Sequence, residues 1–170
     1  EGGWGKGPTF GDVDHDGDLD LYEGDCKLAN QLYLNDGKGN FVNVADDQPQ
    51  LQCATVRTKG TAFADVDNDG DLDIYVINWG AENKLYKNNQ NDGNWLKVGG
   101  LAFGTKVALY DGAQLIASRE IKSATGFCAQ EPAVAHFGAQ ADKTYTVKIT
   151  APGAASQTMQ VKAGQFVTVE

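Results

Sequence analysis

Long apolar runs are missing from this 170-residue chain, and with them any candidate membrane-spanning helix. Runs of lysine or arginine are missing too. Against 23 acidic residues stand 14 basic ones, for a net charge of −9, which argues against nucleic acid as a partner. Cysteine is sparse: Cys26, Cys53 and Cys128 sit in no CxxC or Cys/His pattern, so zinc is not expected. Histidine occurs twice, and no Ser/His/Asp set assembles around His15 or His136. The chain lacks an Asn-x-Ser/Thr sequon, which removes standard N-linked glycosylation. It also lacks a secretory signal, and Glu1 reads as a mature or trimmed start. No segment keeps a sustained helical period.

What the chain has instead is glycine, 21 residues of it, with many Asn and Asp, a composition of turns and short strands. One nine-residue stretch occurs twice, as Asp-Val-Asp-His-Asp-Gly-Asp-Leu-Asp from Asp12 to Asp20 and Asp-Val-Asp-Asn-Asp-Gly-Asp-Leu-Asp from Asp65 to Asp73. Carboxylates at every second position suit neither a core strand nor a helix. Crowded within ~6 Å, they repel by roughly 3 kcal/mol per pair at an effective dielectric near 20. An oxygen-only ligand set of this density fits Ca²⁺, so two Ca²⁺ sites are expected. The charge balance agrees: the ten loop aspartates carry the acidity, and the remaining 13 acids face 14 bases.

The frame opening at Asp12 also fits an EF-hand, with Asp at positions 1, 3 and 5, Gly17 at 6 and Glu23 at 12. Two facts count against that. The flanks are strand-like, and position 12 of the second copy is Val76, which cannot ligate. Both copies share Asp at position 9. The expected side-chain ligands are therefore Asp12, Asp14, Asp16 and Asp20 in one β-hairpin loop, and Asp65, Asp67, Asp69 and Asp73 in the other. Asp18 and Asp71 are expected to offer backbone oxygens, while Gly17 and Gly70 turn the chain with positive φ.

The second copy follows the first at an offset of 53 residues, and Asn30-Gln-Leu-Tyr-Leu-Asn35 returns at the same offset as Asn83-Lys-Leu-Tyr-Lys-Asn88. Gly93-Asn-Trp95 matches Gly39-Asn-Phe41 with one residue inserted. A period near 53 with about four short strands is the scale of a propeller blade. From about Val98 the acidic loops stop, and alternating strands read as a small antiparallel β unit. The division expected is 1–97, as two repeats (1–50 and 51–97), and 98–170. Cys26 and Cys53 share a repeat, and both a disulfide and buried thiols remain open for them. His15, at a non-ligand loop position, is expected to face solvent, and His136 to be structural. Trp79 is expected to be exposed.

Gly3-Trp-Gly5, Phe10-Gly-Asp-Val-Asp-His-Asp-Gly-Asp-Leu-Asp-Leu-Tyr22, Asn30-Gln-Leu-Tyr33 and Gly37-Lys-Gly-Asn-Phe41 resemble the FG-GAP (VCBS-type) repeat of integrin-α-like β-propellers, and the second copy matches equally well. Asn94-Trp-Leu-Lys-Val98, Gly104-Thr-Lys-Val107, Arg119-Glu120, Ser123-Ala-Thr-Gly-Phe127 and His136-Phe-Gly138 resemble the ASPIC/UnbV module. These resemblances imply an extracellular or cell-surface calcium-binding protein similar to the cartilage-acidic-protein group. The fold expected is all-β, two propeller-blade-like antiparallel units with Ca²⁺-binding hairpin loops plus a small C-terminal β-sandwich or barrel-like unit.

Two blades leave open sheet edges. The C-terminal half could cover one, the chain could be a fragment, or neighbouring copies could complete the sheets. The function expected is a non-catalytic structural or adhesion protein that self-associates or meets other extracellular proteins or glycans, without membrane insertion. The alternative is a carbohydrate-binding module, or a piece of a larger enzyme, using exposed tryptophans.

Overall fold

The computed structural model describes residues 3–54 and 56–169. Fourteen strands and one 3-10 turn, Pro49–Gln52, make up their regular structure. β1 (Gly5–Gly11), β2 (Asp20–Asp25), β3 (Gln31–Asn35) and β4 (Phe41–Asn43) form an antiparallel sheet in that order. β5 (Arg57–Ala64), β6 (Asp73–Trp79) and β7 (Lys84–Tyr86) form the second. Both acidic loops are hairpin loops, joining β1 to β2 and β5 to β6, as the strand-like flanks require. β1 and β5 begin further upstream than their apolar residues announce, and each carries a bulge, between Lys6 and Thr9 and between Thr58 and Gly60.

The C-terminal half holds two further sheets. β9 (Lys106–Asp111), β10 (Gln114–Glu120), β12 (Thr144–Thr150) and β13 (Gln157–Lys162) pair in the order β10-β9-β12-β13. β8 (Trp95–Gly99) lies between β11 (Ala135–Gly138) and β14 (Gln165–Thr168), antiparallel to the first and parallel to the second. The purely antiparallel unit expected here is thus corrected by one parallel pair. Leu96, Val98, Val107, Leu109, Phe137, Val147 and Ile149 form the core shared by these two sheets.

The chain is all-β, but the propeller-blade and barrel expectation is overturned: the described residues form four sheets, and none of these closes on itself. The physical reason lies in β8. Trp95 is the sequence counterpart of Phe41, the start of β4, and a repeating blade would place it fourth in the second sheet. Leu96, Lys97, Val98 and Gly99 are all buried, and β8 finds hydrogen-bonding partners on both sides in β11 and β14. The second sheet is therefore left with three strands.

The two N-terminal sheets stack face to face. Phe63, Ile74 and Val76 of the second meet Tyr22 and Leu32 of the first, with Leu51, Leu72 and Val13 completing the cluster. Side chains of this kind each contribute roughly 1.5–3 kcal/mol on full burial. All three cysteines are free. Cys26 Sγ donates to the Thr58 carbonyl at 3.0 Å, and Cys53 Sγ lies 3.1 Å from the Tyr86 hydroxyl.

Candidate metal centres

Each acidic loop winds on its own carboxylates. In the first, Asp14 Oδ1 accepts from Asp16 N at 3.3 Å and Asp16 Oδ1 from Asp18 N at 3.1 Å. In the second, Asp69 Oδ1 accepts from Asp71 N at 3.0 Å. The winding gathers Asp12, Asp14 and Asp20 so that one oxygen from each lies within 4.8 Å of the others, and it does the same for Asp65, Asp67 and Asp73. The carboxylates of Asp16 and Asp69, expected as further side-chain ligands, fall outside these two groups, as do those of Asp18 and Asp71, expected to offer backbone oxygens instead.

The position-9 aspartates tie each loop to its sheet. Asp20 accepts from Val13 N at 2.8 Å and Asn35 N at 3.0 Å, and Asp73 from Val66 N and Asn88 N, both at 2.9 Å. The position-1 aspartates are braced on one oxygen only. Asp12 Oδ2 accepts from Gly138 N at 2.7 Å, and Asp65 Oδ2 from Gly70 N at 2.9 Å and from Lys97 Nζ. Asp12 Oδ1 and Asp65 Oδ1 are buried with no hydrogen-bond partner. A bare carboxylate oxygen inside a ring of carboxylates costs free energy unless a cation meets it. Both loops pass this test for a hard divalent ion.

Burial pushes the Asp12 carboxyl up to about 6, although the Gly138 N–H and Arg119 pull it down, and burial pushes Asp20 up to about 7. Asp14 is also raised, by burial and then by Asp16. An unfolded chain releases these protons near pH 4. Between about pH 4 and 7 the metal-free fold therefore holds more protons than the unfolded chain, and its stability falls as pH rises through that window. Cation binding needs the same protons gone. First-loop Ca²⁺ affinity is expected to climb between pH 5.5 and 7.5, with proton release visible by calorimetry in buffers of different ionisation enthalpy. An affinity that stays flat across that range is the contrary result.

The C-terminal sheets reach into both loops, which the loop motifs alone do not reveal. Gly138 of β11 holds Asp12, and Arg119 of β10 stands 3.9 Å from the same carboxylate. Lys97 of β8 is buried against Asp65. His136 Nε2 lies 2.7 Å from the Gly70 carbonyl, which can only accept, so Nε2 carries the proton. Gly70 itself has φ +102°, and a Cβ there would sit on the Trp95 indole. Lys97 and His136 did carry a signal: each interrupts an apolar strand. His136 is structural in the sense expected. His15 is not solvent-facing; it is buried, because the second loop and the segment after β7 close over it.

Residues 24–76 match the FG-GAP-like repeat family, and residues 98–170 match the ASPIC and UnbV family. The chain carries FG-GAP-like and ASPIC/UnbV domains. It is homologous to cartilage acidic protein 1: the Homo sapiens protein is 34% identical over 128 residues, 66% of this chain and 19% of that protein. The Mus musculus protein is 36% identical over 111 residues, 56% of this chain and 16% of that protein. The chain thus spans less than a fifth of the length of these relatives. The FG-GAP-like match takes in the whole second acidic loop. The ASPIC/UnbV match begins inside β8, the strand whose Lys97 enters that loop.

Proposed function

We propose that this chain is an extracellular, non-catalytic structural module whose copies associate head to tail. Ca²⁺ would be held in one loop by the carboxylates of Asp12, Asp14, Asp16 and Asp20 with the Asp18 backbone oxygen, and in the other by those of Asp65, Asp67, Asp69 and Asp73 with the Asp71 backbone oxygen. These ions stiffen two repeats, 1–50 and 51–97, beneath a C-terminal β domain, 98–170. Homology to cartilage acidic protein 1 supports the extracellular structural part of this reading. The observation that carries the association is a pair of equivalent tyrosines.

Tyr22 and Tyr75 stand 53 residues apart at the same place in the two sheets, yet Tyr22 is 0% exposed and Tyr75 41%. Leu32 and Leu85 are a second such pair, 7% and 45% exposed. The first sheet's face is covered by Phe63, Ile74 and Tyr86 of the second. Their own counterparts in the first sheet are Phe10, Leu21 and Tyr33, with Phe10 50% exposed. Each chain therefore offers both halves of a contact it already makes once internally. A second copy fits such a surface by repeating that contact, as a heterologous, open-ended interface.

In Ca²⁺ the protein is expected to form concentration-dependent oligomers by light scattering. Tyr75→Glu and Phe10→Glu should each give monomers, and an equimolar mixture of the two should give dimers, since each variant keeps one intact face. A wild-type protein that stays monomeric at its highest soluble concentration would sink the association. The same face carries Trp79, 67% exposed beneath the Lys59 ammonium. That exposure favours glycan stacking as the second reading. It predicts Trp fluorescence changes with oligosaccharide on a monomer.

A further inference from the structure

The contact between the two acidic loops contains a group of side-chain donors that neither three-aspartate cluster includes. His15 sits at the fourth position of the first loop with φ +63°, and its ring meets Asp71 of the second loop and Asp92 beyond it. Its Nδ1 lies 3.0 Å from Asp92 Oδ1. A carboxylate accepts, so Nδ1 carries the proton and Nε2 presents a bare lone pair. That lone pair faces Asp71 Oδ1 at 3.8 Å.

Both side chains are 0% exposed, and neither His15 Nε2 nor Asp71 Oδ1 has a hydrogen-bond partner. Two acceptors facing each other in a dry contact repel, and at 3.8 Å a shared proton would make no hydrogen bond. The separation does suit two ligands of one metal ion. Asp71 Oδ2 is held by Asn91 N at 2.9 Å, and Asp92 by the Asn94 backbone and side-chain N–H groups at 2.8 and 2.9 Å, so the carboxylates are fixed in place. One donor atom from each of His15, Asp71 and Asp92 lies within 4.8 Å of the others.

We infer that His15 Nε2 and Asp71 Oδ1 are the ligands of a third cation site at the junction of the two repeats, with Asp92 supporting the ring from behind, selective for a borderline transition metal such as Zn²⁺ over Ca²⁺. An imidazole nitrogen is a good ligand for Zn²⁺ and a poor one for Ca²⁺, which takes oxygen. Asp92 stands where second-shell carboxylates stand in histidine-metal sites, behind the protonated ring nitrogen, fixing tautomer and ring direction. Its side chain is 30% exposed, so the junction meets solvent on the Asp92 side of the ring. Since His15 belongs to the first repeat and Asp71 and Asp92 to the second, an ion here would bind the repeats to each other.

The discriminating variant is His15→Asn, because Asn68 occupies the equivalent position of the second loop with the same φ of +63°. The substitution is thereby matched to a fold the chain already uses. The full-length protein is first saturated with Ca²⁺ and then titrated with Zn²⁺ by calorimetry, with the His15 ring followed by NMR. One Zn²⁺ is expected to bind with the Ca²⁺ retained and the His15 ring resonances shifted. His15→Asn should weaken that event by at least about 100-fold, and Asp92→Asn by about 10–100-fold, as for other second-shell losses. Ca²⁺ stoichiometry should not change in either variant. Equal Zn²⁺ binding by His15→Asn, or Zn²⁺ uptake that excess Ca²⁺ abolishes, would overturn the site. The first would point to the thiols and the second to the aspartate loops. These outcomes do not depend on whether the chain self-associates.

Discussion

Stripping Ca²⁺ with EGTA is expected to lower the melting temperature by about 10 °C for each site that was occupied, measured by scanning calorimetry at neutral pH. A ligand at a thousandfold excess over its Kd stabilises by about 4 kcal/mol per site. In a chain of this size each kcal/mol is worth roughly 2–4 °C. The structural basis is the bare oxygens. Asp12 Oδ1 and Asp65 Oδ1 lie buried and unpartnered, and Asp20 and Asp73, whose carboxyls burial also raises, stand beside them. In the metal-free fold the bare oxygens stand among like charges that the Gly138, Arg119 and Lys97 contacts on the opposite carboxylate oxygens offset only in part, so the fold carries a cost that an ion would remove. Both loops also anchor the C-terminal sheets, through Gly138 on Asp12 and Lys97 on Asp65. The loss should therefore be global, with one cooperative transition shifted rather than a local loop melting early. An unchanged transition in EGTA would remove calcium from the account altogether.

The acidic loops were legible because the information is local. Asp at alternate positions with glycine at the sixth specifies a winding turn wherever it occurs, and its repetition at a fixed offset sets the strand frame around it. Most strands follow from the same local alternation. What could not be read is what covers what. Tyr22 and Tyr75 are the same residue at the same place in a repeat, and only the stacking order makes one core and the other surface. β8 begins as the matching fourth strand of the second repeat and ends in another sheet, because β11 and β14 offer it two hydrogen-bonded edges instead of one. The partner strands lie about 40 and 70 residues further on, beyond the range of any periodicity. His15 was misplaced for the same reason. Its loop position is a solvent-facing one in an isolated hairpin, and it is the neighbouring repeat that buries it.

Lys97→Met tests whether the loops and the C-terminal sheets are one electrostatic unit. The ammonium is buried beside Asp65 and lies about 5 Å from the Trp95 and Phe166 ring centres, so its stem already packs as an apolar side chain. Methionine keeps most of that volume and removes only the charge. Without metal, Asp65 would then stand buried with the Gly70 N–H as its remaining close partner, and losing one half of a buried pair typically costs about 3–5 kcal/mol. With Ca²⁺ present the loss should shrink to a small fraction of that. Asp65 Oδ1, the oxygen Lys97 leaves free, is the one open to a cation, and a bound Ca²⁺ would supply the positive charge that the lysine no longer does. Urea denaturation of wild type and variant, with Ca²⁺ and with EGTA, completes a thermodynamic cycle whose coupling term is the quantity of interest. A deficit of equal size in both conditions would show that Lys97 acts through packing alone. A coupling of several kcal/mol would mean that the C-terminal domain senses the occupancy of the second loop through this side chain.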